Sequence, residues 1–387
     1  MAVVLLANEF GAGLGHATRL MLIAKALAAR GHRPVFALPD LVAAGPVVHR
    51  ERFPAFQGPV WVGRRYPRKS TRTFADILAD KGFADPEILW PVVEGWQRLL
   101  DVIRPAIIVG DHCPSLCLAA FDQVPLVLVG NGFTVPPTEF PTFPPLLADV
   151  PPGLPEERIL ASIAKVQRLR RRPAPETLPG LLAGAGNFAA AFPETDPYRA
   201  VRRAPADGPL KPPPAPAPVP PSRRFYAYLS TSYPGTGKML ASLAASRLEG
   251  DMYIQGATTG QIARLRKAGL SVHDRPPSLD EVVPRATVVL HHGGLGVATA
   301  AIAVGRPQLL VPRYLEQRLT AIALEEEGVA RRLRHRREHD TVADAVGRMM
   351  EDAGLAERAL ALAHAVHARG PYDTLSKIVE LCDELVS

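Results

Sequence analysis

The amino-acid sequence predicts an α/β protein built from two Rossmann-like domains, and three observations carry that prediction. Residues 3–38 run strand, glycine loop, helix, strand. Residues 288–311 repeat the pattern, again with glycines between the first strand and the helix. Between the two lies PLKPPPAPAPVPPS, inside residues 204–222, which reads as a stiff polyproline-II connector. A chain of 387 residues suits two domains better than one, and 47% hydrophobic residues can fill two cores. The expected division is 1–204, a Pro-rich linker over 205–222, a second domain over 223–370 and a last helical segment over 371–387.

The first domain opens with Val3–Ala7, an apolar run of the kind that forms a buried parallel strand. A helix from about Thr18 to Arg30 puts Leu20, Ile23, Ala24 and Leu27 at helical spacing, Gly31 stops it, and Pro34–Leu38 is the next strand. The loop Gly11-Ala12-Gly13-Leu14-Gly15 invites a dinucleotide reading with Asp40 at the ribose, but His16 stands where the last glycine of that fingerprint belongs. His32 reads as an ordinary surface residue. Trp61–Arg72 is a basic loop without period, and Ile88–Ile103 is a helix. Pro105–Gly110 is a strand with Asp111 at its carboxyl end, where ligands of open α/β sheets bind; the other reading of Asp111 is a cap for a helix over Ser115–Phe121. Pro125–Gly130 is a strand, and Thr134–Pro155 has the prolines and aromatics of a loop. Glu156–Arg172 is a helix with apolar Ile159, Ile163, Val166 and Leu169 and basic Lys165, Arg168, Arg170, Arg171 and Arg172. It is either a solvated helix end or a face for weak association with an anionic membrane surface.

In the second domain Phe225–Leu229 is a strand ending at Ser230-Thr231-Ser232. Pro234–Lys238 imitates part of a P-loop, but Ser232 replaces its first glycine and Met239 the hydroxyl that would hold magnesium. Two αβ units follow, Lys238–Arg247 with Asp251–Gln255 and Thr259–Ala268 with Leu270–His273. Then comes the strand Val288–Leu290, the cluster His291, His292, Gly293, Gly294 and Gly296, a helix from Val297 to Val304, Gly305, and the strand Gln308–Val311. Glycines let a backbone approach a ligand, and a helix start offers unpaired N–H groups, so this turn can hold an anion. The last helices are expected over Thr341–Glu351, Leu355–Ala368 and Thr374–Leu385.

Composition narrows the function. Forty-five basic against 38 acidic residues, net +7, suit an anionic substrate or membrane surface but are no nucleic-acid footprint. The three cysteines, Cys113, Cys117 and Cys382, make no disulfide framework. Cys113 and Cys117 are expected to pack on a helix rather than bind metal, since no second Cys/His pair has zinc spacing. Neither a signal peptide nor a run of about 20 apolar residues is present, so a reducing cytoplasm is expected.

The order His-Gly-Gly-x-Gly, Gly-x-Pro, Pro-x-x-x-Glu-Gln and then Ala, within Val288–Ala321, resembles the donor signature of the UDP-glycosyltransferase superfamily, the family-1-like branch of GT-B glycosyltransferases. The resemblance implies a GT-B fold, two Rossmann-like domains facing across a cleft, with Thr374–Leu385 crossing back to the N-terminal domain. It implies that His292, with Gly293, Gly294, Gly296 and Val297, holds the donor diphosphate, and that Glu316 and Gln317 bind the sugar hydroxyls. Ser230 and Thr231 fall where the donor domain begins, and Arg275 near the nucleotide base. His16 matches the general base on the acceptor, and Asp111 the aspartate that orients it. The implied reaction is inverting transfer of a hexose-type sugar, without metal or resident cofactor. A UDP- or dTDP-linked sugar is co-substrate, and a hydroxyl of a small-molecule or lipid acceptor receives it.

This chain departs from that pattern at four places. Val297 replaces the usual phosphate-contacting Ser/Thr, Glu316 the commoner aspartate, Thr320 a frequent asparagine, and Arg275 an aromatic. These leave two alternatives to transfer, a nucleotide-sugar-binding homologue without activity and a UDP-sugar epimerase on the same fold. Assaying a labelled nucleotide-sugar panel for transfer, binding or epimerisation separates the three.

Overall fold

The computed structural model describes residues 1–11, 15–61, 71–151, 153–333 and 341–387. Most of the basic loop within Trp61–Arg72 and the middle of the Gly11–Gly15 loop lie outside the described residues. The chain divides into two units, Met1–Leu210 with Asp373–Ser387, and Lys211–Tyr372.

The first unit alternates strand and helix: β1 (Val3–Asn8), α1 (Gly15–Ala29), β2 (Arg33–Leu38), α2 (Leu41–Arg50), β3 (Ala55–Gln57), α3 (Phe74–Lys81), α4 (Pro86–Ile103), β4 (Ile107–Asp111), α5 (Pro114–Ala120), β5 (Leu126–Gly130), α6 (Glu156–Arg170) and β6 (Gly186–Ala189). The second follows suit: β7 (Arg224–Ser230), α7 (Thr236–Ala245), β8 (Glu249–Gln255), α8 (Thr259–Lys267), β9 (Ser271–His273), α9 (Leu279–Val282), β10 (Val288–His291), α10 (Leu295–Val304), β11 (Gln308–Leu310), α11 (Leu315–Glu326), β12 (Ala330–Arg332), α12 (Val342–Glu351) and α13 (Ala353–Ala368). The final helix, α14 (Thr374–Leu385), belongs to the first unit.

Both sheets have one topology. The strand orders are β3-β2-β1-β4-β5-β6 and β12-β11-β10-β7-β8-β9, and each pairing given a register is parallel. Counted from its first strand, each sheet therefore reads 3-2-1-4-5-6. Its order reverses between β1 and β4 in one unit and between β7 and β10 in the other. Such a switch point leaves a crevice at the carboxyl ends of two adjacent strands, because their connections leave toward opposite sides. Val4, Leu6, Ile107, Val109, Val127 and Val129 sit in the core of the first sheet, and Phe225, Ala227, Leu229, Val288 and Leu290 in that of the second.

Several expectations change. His32 is no surface residue: it is 9% exposed, and its Nε2 lies 2.6 Å from Asp383 of α14. Arg30 joins the same carboxylate at 3.1 Å, while Ile378, Val379 and Cys382 enter the first unit's core. The apolar stripe of α6 is turned inward, with Ile159, Ile163 and Val166 fully buried. Leu169 of the same stripe is 52% exposed, and Arg170, 3% exposed at the side chain, bonds Glu94 of α4. No helix among the described residues is long and apolar enough to cross one.

The connector is not free either. Residues 205–210 stay with the first unit, where the Asp207 carboxylate accepts from Ala189 N at 2.7 Å. Farther on, the fully buried Arg306 donates to the carbonyls of Ala217 at 2.8 Å and Pro218 at 2.9 Å, which fastens the polyproline segment to the second unit. Proline cannot donate, so its carbonyls need an outside donor when buried.

Candidate active site

In the first unit the switch point carries an imidazole and a carboxylate. Asn8 and Asp111 are register partners at the carboxyl ends of β1 and β4. Asn8 Nδ2 ties the ends together, donating to Asp111 O at 2.9 Å and Phe10 O at 2.7 Å. The chain then enters α1, whose second residue is His16. His16 Nδ1 lies 3.0 Å from Asp111 Oδ1, an ion-pair distance that is off the line of a hydrogen bond, and neither atom has another partner. Asp111 is fully buried, while the His16 side chain is 12% exposed.

Arg19, one turn along α1, donates to Asp111 Oδ2 at 2.5 Å. Burial pushes the Asp111 carboxyl up, but the charges of Arg19 and His16 outweigh it and bring the pKa to about 2. Asp111 is thus a permanent anion facing His16 Nδ1. That arrangement favours the tautomer with Nε2 unprotonated, and Nε2 faces Gly11. A side chain on Gly11 would begin 2.2 Å from Nε2, and φ there is +111°, so this position beside the imidazole calls for glycine.

Asp111 does not cap α5. Cys113 holds the N-cap position without a side-chain bond, and Glu9 does the work from β1's end by accepting from Ser115 N at 2.9 Å. Ser115 Oγ and Trp61 Nε1 also donate to this carboxylate. Burial nonetheless raises its pKa to about 7, with those bonds opposing. Cys113 and Cys117 are buried free thiols on and beside α5. His112, absent from the sequence reading, has φ +52° and sits among Phe10, Phe74 and Phe133, at ring-centre distances of 5.4, 5.9 and 6.1 Å. Burial, then the His16 charge, hold it neutral with a pKa of about 3.

The second unit has its own constellation at the equivalent switch point. His292 follows β10, and Ser230 ends the neighbouring β7. Nδ1 of His292 is 2.7 Å from Val311 O, and Nε2 accepts from Ser230 N at 3.0 Å. The expected diphosphate ligand therefore has both ring nitrogens bonded within its own unit. His291 is likewise engaged: Nε2 is 2.9 Å from Gln308 Oε1, and Nδ1 accepts from Gly293 N at 3.1 Å. Burial lowers the pKa of both rings, that of His291 to about 4.

The free donors at this turn belong to the backbone instead. The first helical bond of α10 runs from Ala298 N to Gly294 O, which leaves the N–H groups of Leu295, Gly296 and Val297 without intrahelical acceptors. A Cβ on Gly294 or Gly296 would meet nothing within 4 Å, so the space before this helix start is open. Gly293 is different: φ is +89° and a Cβ would strike Gln317 O at 2.9 Å. That close approach brings α11 beside the turn.

Comparison with known proteins fits this geometry. Residues 268–382 match the family described as erythromycin biosynthesis protein CIII-like, C-terminal domain. A curated relative, the O-mycaminosyltylonolide 6-deoxyallosyltransferase of Streptomyces fradiae, is 33% identical over 110 residues, 27% of this chain and 26% of that enzyme. The match thus spans about a quarter of the curated relative. The glycosyltransferase SnogD of Streptomyces nogalater superposes with a TM-score of 0.61 at 21% identity, over 98% of this chain and 99% of that one. The glycosyltransferase VinC in complex with DTDP gives 0.63 at 18% identity, over 99% and 100%. The chain has the two-Rossmann-domain GT-B fold of these glycosyltransferases.

Within this GT-B protein the sequence-derived residues sort by contact. Gln317, 3% exposed, is brought to the turn, and its Oε1 accepts from Arg313 N at 2.9 Å. Glu316, its neighbour, is partly exposed in the first turn of α11. Thr231 Oγ1 is used locally, donating to Gly256 O at 3.1 Å. Arg275 is exposed beyond the edge strand β9, three places in sheet order from β10, the strand that leads to His292. The Val297 side chain is 7% exposed and packs with Tyr226, Val289 and Ala301, which leaves its N–H as the group that can face a ligand. Arg19 and Arg313 were missed. Spacing on α1 was the available signal for Arg19, since residues three apart share a helix face.

Proposed function

We propose that this GT-B protein transfers a sugar from a nucleoside-diphosphate donor to a hydroxyl of a natural-product-type acceptor, small-molecule or lipid, with inversion and without a metal. The observation that carries the reading is the His16–Asp111 pair, with a permanently charged, buried carboxylate 3.0 Å behind an imidazole whose far nitrogen a side chain on Gly11 would strike. His16 Nε2 takes the acceptor proton as the oxygen attacks the anomeric carbon. The bond from that carbon to the diphosphate oxygen breaks, and its electron pair leaves with the diphosphate. Asp111 stabilises the imidazolium formed, and the N–H groups at the start of α10 stabilise the leaving charge.

The donor class is supported by the open helix start after Gly294 and by the DTDP held by VinC. The S. fradiae relative, named as a deoxysugar transferase, supports the acceptor class. Glu316 and Gln317, at the start of α11 beside Gly293, are assigned to the sugar. Incubation with labelled dTDP- and UDP-sugars and a panel of hydroxyl acceptors tests the proposal. The expected product is a glycoside of inverted anomeric configuration. Donor binding without turnover, or an epimerised donor, would replace this reading with one of the two others.

A further inference from the structure

A ring of contacts runs through His292, three residues before α10. Val311 O receives His292, His292 receives Ser230 N, Ser230 Oγ lies 2.9 Å from Ser232 Oγ, and Ser232 Oγ accepts from Arg313 Nη1 at 2.6 Å. One residue, Pro312, connects Arg313 back to Val311. Arg313 is the cation in this ring. It is partly buried, its Nε is buried without a hydrogen-bond partner, and it forms no ion pair among the described residues. Its guanidinium rests 5.5 Å from the ring centre of Tyr314.

A partly buried guanidinium held by a serine hydroxyl and an aromatic ring, with its Nε buried and unpartnered and no carboxylate paired to it among the described residues, suits an anion. The rest of this site also lacks a charge for one. His292 is bonded at both nitrogens, and Val297 has turned its side chain into the core. Three backbone N–H groups alone would face two ionised phosphates. We infer that Arg313 is a diphosphate-binding residue of the donor site, positioned by Ser232, and that it supplies the interaction other chains obtain from a hydroxyl at the Val297 position. The inference rests on the donor reading proposed above and names a residue which that reading does not use.

Calorimetry on the full chain with dTDP, UDP, thymidine and uridine tests it. Loss of one charge-assisted bond lowers affinity about ten- to a hundredfold. Arg313→Gln is expected to weaken dTDP or UDP by that factor while the matching nucleoside binds as before. Arg313→Lys, which keeps charge but not the fork, is expected to fall between. Ser232→Ala, which removes only the tether, is expected to weaken the diphosphate a few-fold. Arg313→Gln binding the diphosphate like wild type overturns the inference alone. Equal losses for diphosphate and nucleoside, with a lowered melting temperature, assign Arg313 to structure and overturn it too. Wild type binding neither diphosphate overturns the donor reading with it.

Discussion

The backbone N–H of Ser230 donates to Nε2 of His292 at 3.0 Å, across the switch point of the second sheet. With Nδ1 on Val311 O, the ring braces the ends of β7, β10 and β11. His292→Ala would leave a buried donor and a buried acceptor unpaired, at about 1–3 kcal/mol for each. The melting temperature is expected to fall together with dTDP affinity. An unchanged melting temperature with a tenfold loss of dTDP affinity would show the imidazole reaching the phosphate directly, against the braced geometry.

His16 and Asp111 are expected to act as one unit. His16→Ala should lower turnover at least about a hundredfold while leaving dTDP binding intact, because proton transfer is affected and the proposed donor residues are in the other unit. Asp111→Asn should also slow turnover, and adding it to His16→Ala should cost little more. It should destabilise as well, by about 3 kcal/mol, since Arg19 loses its buried partner. Fully additive losses in turnover would separate Asp111 from the base.

Gly11→Ala tests the clearance of His16 Nε2. Its Cβ would lie 2.2 Å from that nitrogen at a φ of +111°. Turnover should drop as it does in His16→Ala, with dTDP affinity unchanged. Wild-type turnover in this variant would mean that Nε2 is not the working atom.

Acid should weaken the second unit through His291. Its folded pKa of about 4 lies below the ordinary histidine value, chiefly through burial, and protonating Nδ1 would break the bond from Gly293 N. A depressed histidine favours the folded state fully above pH of about 6.5, and the contribution is lost as pH falls toward 4, by about 3 kcal/mol in all. The stability gap between wild type and His291→Leu should therefore shrink over that interval in chemical denaturation. A gap constant from neutral pH to pH of about 4.5 would contradict the neutral, buried ring.

Much of this protein was legible before its structure. Strands buried on both faces need continuous apolar runs, so Val3–Ala7, Pro105–Gly110 and Val288–Leu290 announced β1, β4 and β10. The glycine turns and their histidines, at fixed short spacings, pointed to both loops that carry the candidate site. Three short pieces did not show. β3 (AFQ), β6 (GNFA) and β12 (ARR) have no continuous apolar run to mark them, whereas the equally short β11 continues as QLLV.

Local pattern alone determined where strands end and helices begin, because apolar spacing and glycine act within a few residues. Which side chains meet was decided only by strand order and register. Arg19 reaches Asp111 across 92 residues of chain, Arg313 reaches Ser232 across 81, and His32 reaches Asp383 across 351. The same placement turned Val297 into the core and gave His292 two partners inside its own unit. A motif names the residues at a turn; their direction depends on the neighbouring strands, and those come from distant sequence.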